Sequence, residues 1–456
     1  MQYIKLKQYA IYLMLLVLIL PVKVSGKNDT QAGYISIKQF GAKGDGVTDD
    51  YNAFLALASY VNAKKGGQVL FPKGVYYIAA YHTKNNNLSD IIFKDCTNLS
   101  IKGDGAVIKV NGKINRTMDR SNSRAWYSKT NSIVPLYFDN CKHLTIQSLE
   151  VRGGVDQMTR DPKVVETGGN LIQLMNCQDV KINDVYVHHA QTDGIYINGD
   201  ASRDFAFVNV TSSNNARQGM SILKLNNATF TKCKFVKTGI TSGSYGFHAP
   251  AAGVDIECGK IPLAKKTGNF IFDSCVFEDN LGTQFACTSP VSCSNITLKN
   301  CQITSNDSST YHAMILVADS ITLQDSKIDC RKGNIYTNWK GMPGANVKVM
   351  RCVITSSMAG IVSISDDSSN DRVTIANNTF YNNSNGEIKR YFIQVQNPKA
   401  SFINNIIHIP SGNLKRKGAS SQIENALVSE GNTFISDGRT KPVVSYKGTL
   451  KSLDKF

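Results

Sequence analysis

Asp255 and Glu257 stand two residues apart in the run Ala252-Gly253-Val254-Asp255-Ile256-Glu257. Alternation along an extended chain puts both side chains on one face, with Cα atoms about 6.5–7 Å apart. Their carboxyl groups then lie roughly 5–9 Å apart, the spacing at which one acid protonates a glycosidic oxygen and the other serves as base or nucleophile. Like charge at that distance raises the pKa of one partner and readies it to donate a proton. Such a pair in isolation also fits a solvated acidic patch or a Ca²⁺ ligand set. Its neighbours decide.

Three earlier segments align with this one: Asn170 to Met175, Asp193 to Asn198, and Gln218 to Leu223. If all four are adjacent strands, Ile172, Ile195, Met220 and Val254 stack inward, and Gln173, Tyr196, Ser221 and Asp255 form an outward column. A second outward column holds Met175, Asn198, Leu223 and Glu257. Strands about 4.8 Å apart merge these side chains into one patch. Asp193 and Arg217 begin two of the strands. We therefore expect Asp255 and Glu257 as acid and base or nucleophile, with Asp193 as an assisting carboxylate. Arg217, Tyr196, Gln173, Asn198, Lys224 and His248 are expected to contact substrate. An alternative chemistry, β-elimination on a uronate, would use Arg217 or Lys224 as base, with Asp193, Asp255 and Glu257 holding Ca²⁺, and C5 epimerisation ranks behind both. His188-His189 also lies near this face and reads chiefly as a turn feature. Hydrolysis by the carboxylate pair needs no cofactor.

The elements that must position these residues are short strands recurring in a solenoid. One column, Leu149, Val185, Val210, Cys233, Cys275, Cys301, Ser326, Cys352, Asn378 and Asn405, advances in steps of 36, 25, 23, 42, 26, 25, 26, 26 and 27 residues. A period in the twenties with Asn, Gly and Ser turns marks stacked coils whose equivalent positions lie above one another. Helical periodicity and leucine-rich spacing are both missing. The expected fold is all-β, a single-stranded right-handed parallel β-helix of about 10–12 coils. Most of the 11 cysteines are expected as buried thiols in an interior ladder, since no CxxC pair occurs. The 42-residue step carries the acid pair, and its surplus, with Tyr245, His248 and Lys260 to Lys266, should form loops beside the patch.

Ahead of the repeat, residues 34–40 read as a strand, followed by the turn Gly41 to Asp50 and a helix from about Asp50 to Lys64, with Thr48 or Asp49 as N-cap. An amphipathic helix there would cap the open end of the solenoid. The runs Phe40-Gly-Ala-Lys-Gly-Asp-Gly-Val-Thr-Asp-Asp50 and Gly67-Gln-Val-Leu-Phe-Pro-Lys-Gly-Val-Tyr76 resemble the opening segment of the pectate-lyase-like superfamily, which includes rhamnogalacturonase-, polygalacturonase- and epimerase-like proteins. The Gly-Asp-Gly-Val-Thr-Asp-Asp run itself reads as structural. Gln191-Thr-Asp-Gly194 is similar to the Asn-Thr-Asp-Gly element of polygalacturonase-type hydrolases, which implies a catalytic role for Asp193. The likeness is partial: Gly199-Asp200 lacks a second Asp, Gln218-Gly219 lacks the His, and no Arg-Ile-Lys follows.

Residues 1–26 combine basic Lys5 and Lys7, the apolar run Ala10 to Leu20 and small residues Ser25-Gly26, as a secretory leader does. Export to the periplasm or medium is expected, with no membrane span after its removal. The net charge then falls from +16 to +13. That surplus favours a polyanionic partner, taken as an anionic polysaccharide rather than nucleic acid. We divide the chain into the leader 1–26, a cap with first strands 27–80, the β-helix 81–410, and a last strand or flexible tail 411–456. Residues 282–410 read as scaffold that lengthens a groove, with Tyr336 and Trp339 available to stack on sugar. A monomer is expected. A non-catalytic glycan-binding solenoid is the alternative outside enzymology.

Overall fold

The computed structural model describes residues 33–79, 90–111, 133–157, 169–239 and, with short breaks, 246–447. The expected leader, Tyr245, His248, residues 259–266 and Trp339 lie outside the described residues. The chain winds into a right-handed parallel β-helix with two hydrogen-bonded sheets, of 25 and 13 strands. One coil runs Asp193–Asn198, Arg203–Val208, Thr211–Ser213, and the next runs Gln218–Ile222, Asn226–Thr231, Lys234–Val236. Each strand pairs in parallel with its equivalent one coil on. The smaller sheet forms one face of the solenoid. The larger forms the other two, joined through a corner.

The corners are set by single residues in the left-handed region. At one of them Asp184, Asn209, Asn300, Asp325, Asn377 and Asn404 all have φ between 51 and 58°. Asn and Asp tolerate that conformation because their short side chains bond locally. The column read from the sequence follows immediately inside this corner. Successive backbone bonds join Lys234 N–H to Val210 O, Val276 to Cys233, Gln302 to Cys275, Lys327 to Cys301, Thr379 to Cys352 and Ile406 to Asn378. The column runs one coil further than expected, to Asn432, through Thr433 N–H to Asn405 O at 2.8 Å.

Packing inside repeats the same logic. Phe207, Phe230 and Phe272 stack with centroids 4.9 and 4.2 Å apart and ring planes within 9°. Where the column turns from Cys to Asn, side-chain amides replace thiols. The N–H groups of Cys352, Asn378 and Asn405 each donate to the next Asn Oδ1 at 2.9–3.0 Å. Their amide nitrogens donate to interior carbonyls, Asn378 to Val349 O and Asn405 to Ile375 O. Nine cysteines are buried free thiols, as expected of most of them. Cys258 and Cys293 depart from that reading and form a disulfide between neighbouring coils, Cα atoms 6.5 Å apart. Neither belongs to the thiol column, so column spacing carried no sign of their pairing.

The helix Tyr51–Lys64 closes the first coil, burying Tyr51, Ala53, Phe54, Leu57, Ala58 and Val61. Phe54 meets Phe71 and Tyr76 with centroids at 5.4 and 6.5 Å. The cap lies one residue past Asp49 and two past Thr48: Asp50 is the N-cap residue and its side chain makes no cap bond, while Asp49 Oδ1 accepts Tyr51 N–H. Asp50 instead accepts the N–H groups of Lys43 and Gly44, and Asp45 those of Val47 and Thr48, so the acid-rich turn is structural as read. Residues 34–40 are not one strand. Ile35–Ser36 pairs with the sheet, and Ile37–Phe40 is a 3₁₀ turn capped by Ser36.

Two further expectations change. The smaller sheet counts 13 rungs, because Ser421–Glu424 and Val444–Lys447 add two beyond Gln396, where the apolar pattern fades. The coils after residue 282 do not simply extend an open surface. Met314–Ala318 is buried at all five positions, on both faces of the sheet.

Candidate active site

The smaller sheet carries the expected patch, in the register read from sequence. Gln173, Tyr196, Ser221 and Asp255 are Cα partners on four successive strands, as are Ile172, Ile195, Met220 and Val254 on the inward face. Met175 and Asn198 pair likewise in the second column. The column starts earlier than the patch predicted, with Ile92 and Tyr137 ahead of Gln173.

Asp193 has no solvent exposure, and Arg217 reaches it from the next coil. The guanidinium donates Nε–H to Oδ1 at 2.7 Å and Nη2–H to Oδ2 at 2.5 Å, a bidentate pair. Asp193 N–H also donates to Asn170 Oδ1, which accepts Thr192 Oγ1–H as well. These contacts fix the start of the strand Asp193–Asn198.

Asp255 is 3% exposed. Gln218 donates Nε2–H to its Oδ2 at 2.6 Å, and the Ser221 hydroxyl donates to the Oε1 of the same amide. The serine contact fixes which way the amide points, so its N–H side must face the carboxyl group. Burial holds the Asp255 pKa well above the usual carboxylate range, and the negative charges of Glu257 and Asp193 push it the same way. Arg217 and the Gln218 bond oppose that shift. Asp255 is thus built to keep a proton.

Glu257 lies just past the strand Val254–Ile256 and is exposed. Its backbone N–H bonds Ile222 O at 3.1 Å, which continues the register far enough to keep both acids on one side. The two carboxyl groups therefore share a face and differ in environment, one dry and one wet. Immediately after them the Cys258–Cys293 disulfide ties this coil to the next.

The remaining expected residues divide. Tyr196 accepts Asn198 Nδ2–H at 3.1 Å, and Gln173 accepts Asn170 Nδ2–H at 3.0 Å, so both stay at the patch. Lys224 forms an exposed ion pair with Asp200 at 2.5 Å. His188 and His189 sit on the larger sheet, around the corner. The buried His188 bonds Glu150 Oε1 at 3.1 Å and His189 Nδ1 at 2.6 Å, and it stacks on Tyr186. Desolvation lowers the pKa of both imidazoles. Asp193, Asp255 and Glu257 do not converge as a ligand set. Among the described residues, no group of three or more His, Cys, Asp or Glu side chains is placed to hold a metal ion.

Gln218 and Tyr137 escaped the sequence reading, and so did the role of Ser221, which it had placed in the patch. Gln218 and Ser221 occupy aligned positions, yet side-chain direction at the strand start is invisible in a spacing pattern. Tyr137 belongs to the same outward column, and extending the alignment one segment back, to Leu136–Asp139, would have found it.

Comparison with known proteins bears on both halves of the chain. Residues 34–260 match the family model described as rhamnogalacturonase A/epimerase, pectate lyase-like. Residues 263–407 match a right-handed β-helix region. A protein of Arabidopsis thaliana described as a probable polygalacturonase is 24% identical over 212 residues, 37% of this chain and 46% of that one. The match thus spans about half the length of that relative. Among solved structures, the A-module of a mannuronan C-5 epimerase from Azotobacter vinelandii superposes with a TM-score of 0.56 at 16% identity, covering 89% of this chain and 100% of that one. A family 28 exopolygalacturonase from Yersinia enterocolitica gives a TM-score of 0.50 at 11% identity, over 92% of this chain and 78% of that one. At these identities the structural likeness speaks for the fold.

Proposed function

The chain belongs to the pectate-lyase-like superfamily of right-handed parallel β-helices, and we propose that it is an exported enzyme that hydrolyses glycosidic bonds in an acidic or pectin-like polysaccharide. One observation carries the reading: the two carboxyl groups of a single strand lie in opposite environments, Asp255 at 3% exposure and Glu257 in water. Environment assigns the roles, since a buried acid keeps its proton while a solvated one loses it.

Asp255 then donates its proton to the glycosidic oxygen as the bond from that oxygen to the anomeric carbon breaks, and the electron pair leaves with the oxygen. Glu257 either takes a proton from the water that attacks the anomeric carbon or attacks that carbon itself. Gln218, locked by Ser221, orients the acid. The Asp193–Arg217 pair supports the strand beside it, and Tyr196, Gln173 and Asn198 line the floor where sugar rings would lie. The net charge of +13 left after removal of residues 1–26 supports an anionic chain as substrate through long-range attraction. The polygalacturonase relative and the leader-like residues 1–26 support a glycan met outside the cell.

A panel of polysaccharides, read for new reducing ends and for ultraviolet absorbance, tests the proposal. Reducing ends without absorbance mean hydrolysis. Absorbance from an unsaturated uronate would replace hydrolysis with β-elimination, and product with inverted C5 but no new ends would mean epimerisation.

A further inference from the structure

Two amides on the outward face of the smaller sheet have their orientation fixed by backbone N–H groups, which can only donate. Asn170 stands at the entry to the strand Ile172–Met175, and its Oδ1 accepts the N–H of Asp193 at 3.3 Å. The other end of that amide must therefore be the donor. Asn170 Nδ2–H meets Gln173 Oε1 at 3.0 Å, which leaves Gln173 Nε2 on the far side. One N–H of that nitrogen faces the hydroxyl of Tyr137, one coil earlier. Asn198 obeys the same rule. Its Oδ1 accepts the N–H of Gly199 at 2.8 Å, and its Nδ2 donates to the Tyr196 hydroxyl at 3.1 Å. Gln173 and Asn198 are both half-exposed, on adjacent strands and adjacent outward columns. Their carbonyls turn toward the protein, and each nitrogen keeps an N–H for a ligand lying on the floor.

Three cations near this floor are engaged with aspartates. Arg217 holds Asp193, Lys224 pairs with Asp200, and Lys94 pairs with Asp139 at 3.6 Å. A sugar hydroxyl both gives and takes a hydrogen bond, so two N–H donors satisfy only half of it. An ionised carboxyl group only accepts, and N–H bonds to it are the stronger kind. Its ester keeps a carbonyl acceptor without the charge.

We propose that Gln173 and Asn198 determine specificity by reading the carboxyl group of a uronic-acid unit through neutral N–H donors, with Asn170 and the Gly199 N–H holding the amides in that sense. The inference rests on the reading of the substrate as an acidic glycan and names the side chains that recognise it.

Calorimetry on the full chain carrying Asp255→Asn and Glu257→Gln tests it without turnover. The ligands are hexamers of galacturonate and of mannuronate, their methyl esters, and their neutral carboxyl-reduced forms. At least one free uronate hexamer should bind, its methyl ester within about threefold, and its reduced form about tenfold more weakly. Gln173→Glu and Asn198→Asp put an acceptor where a donor stood. Each should raise the Kd for the uronate about tenfold and that for the reduced hexamer less than about threefold. Equal weakening on both ligands would mean that the amides only support the fold, and loss of binding on esterification would assign recognition to a cation. Either result overturns the inference, as does failure of every uronate hexamer to bind. Binding as expected, without cleavage of any polysaccharide by the unaltered chain, keeps the inference and overturns the hydrolase reading. Cleavage by a chain with equal affinity for free and reduced hexamers does the reverse.

Discussion

Arg217 and Asp193 meet in a doubly hydrogen-bonded pair between adjacent coils, and the carboxylate is wholly out of water. A buried pair adds little over an apolar replacement, but breaking it leaves a naked charge. Arg217→Met should therefore destabilise the fold by about 3–5 kcal/mol, and adding Asp193→Asn should recover most of that loss. Chemical denaturation of both variants measures it. Equal losses in the single and double variants would mean that the pair serves no purpose beyond filling space.

Asp255→Asn and Glu257→Gln should each lower turnover by about 10²–10⁴-fold while leaving the circular dichroism of the β-helix unchanged. External azide or formate should restore part of the rate to Glu257→Gln if Glu257 is the nucleophile or base. Near-normal turnover in both variants would remove these residues from the chemistry.

Asp255 also makes stability depend on pH in a definite direction. Its folded pKa lies above the unfolded one, so its contribution is complete below the ordinary value near 3.8 and disappears as pH rises through the raised folded value. Asp255→Asn cannot ionise and should escape that loss, so its Tm should exceed the wild type's increasingly toward neutral pH. Activity should fall over the same rise, as the acid loses its proton. His188 works oppositely: its depressed pKa gives stability above the unfolded value near 6.5 that is lost as pH falls. His188→Gln should flatten the acidic side of the Tm profile alone.

The Cys258–Cys293 bridge closes a 35-residue separation that begins directly after Glu257. In the chain-entropy view such a link stabilises by about 3–4 kcal/mol. Cys258→Ser should lower Tm accordingly and depress activity more than Cys352→Ser, which alters a buried thiol of the column several coils further on. Iodoacetamide should leave the nine buried thiols unmodified until the protein unfolds.

Asn405 gives the fold its own test. It accepts from Asn378 N–H and Nδ2–H and donates to Ile375 O and Asn432 Oδ1. Asn405→Ala should cost about 1–3 kcal/mol for each donor left unpaired inside the core. Urea midpoints of the variant and the parent protein measure it.

Much of this architecture was legible because a solenoid writes its geometry into a period. The column from Leu149 to Asn405 and the register of Gln173, Tyr196, Ser221 and Asp255 both came from spacing, since stacked coils place equal positions over one another. What spacing could not carry depended on contacts between unlike positions. The Gln218–Asp255 bond crosses from the start of one strand to the middle of the next. The disulfide joins two cysteines off the thiol column, and the strand Met314–Ala318 is buried on both of its faces. The pattern Met-Ile-Leu-Val-Ala was itself the available signal, because a strand wet on one face seldom reads as five apolar residues in a row.

The 42-residue coil has a consequence for how such a protein can change. Ser221 and Asp255 keep the register of their neighbours although the chain between them is longer than in any other coil from Leu149 onward. Strand pairing is therefore indifferent to how much sequence leaves the stack and returns. Segments at this coil can be lengthened, shortened or exchanged between relatives as cartridges, while the floor beneath them keeps its spacing. New sugar preferences can thus arise by trading loops, without the fold being solved again.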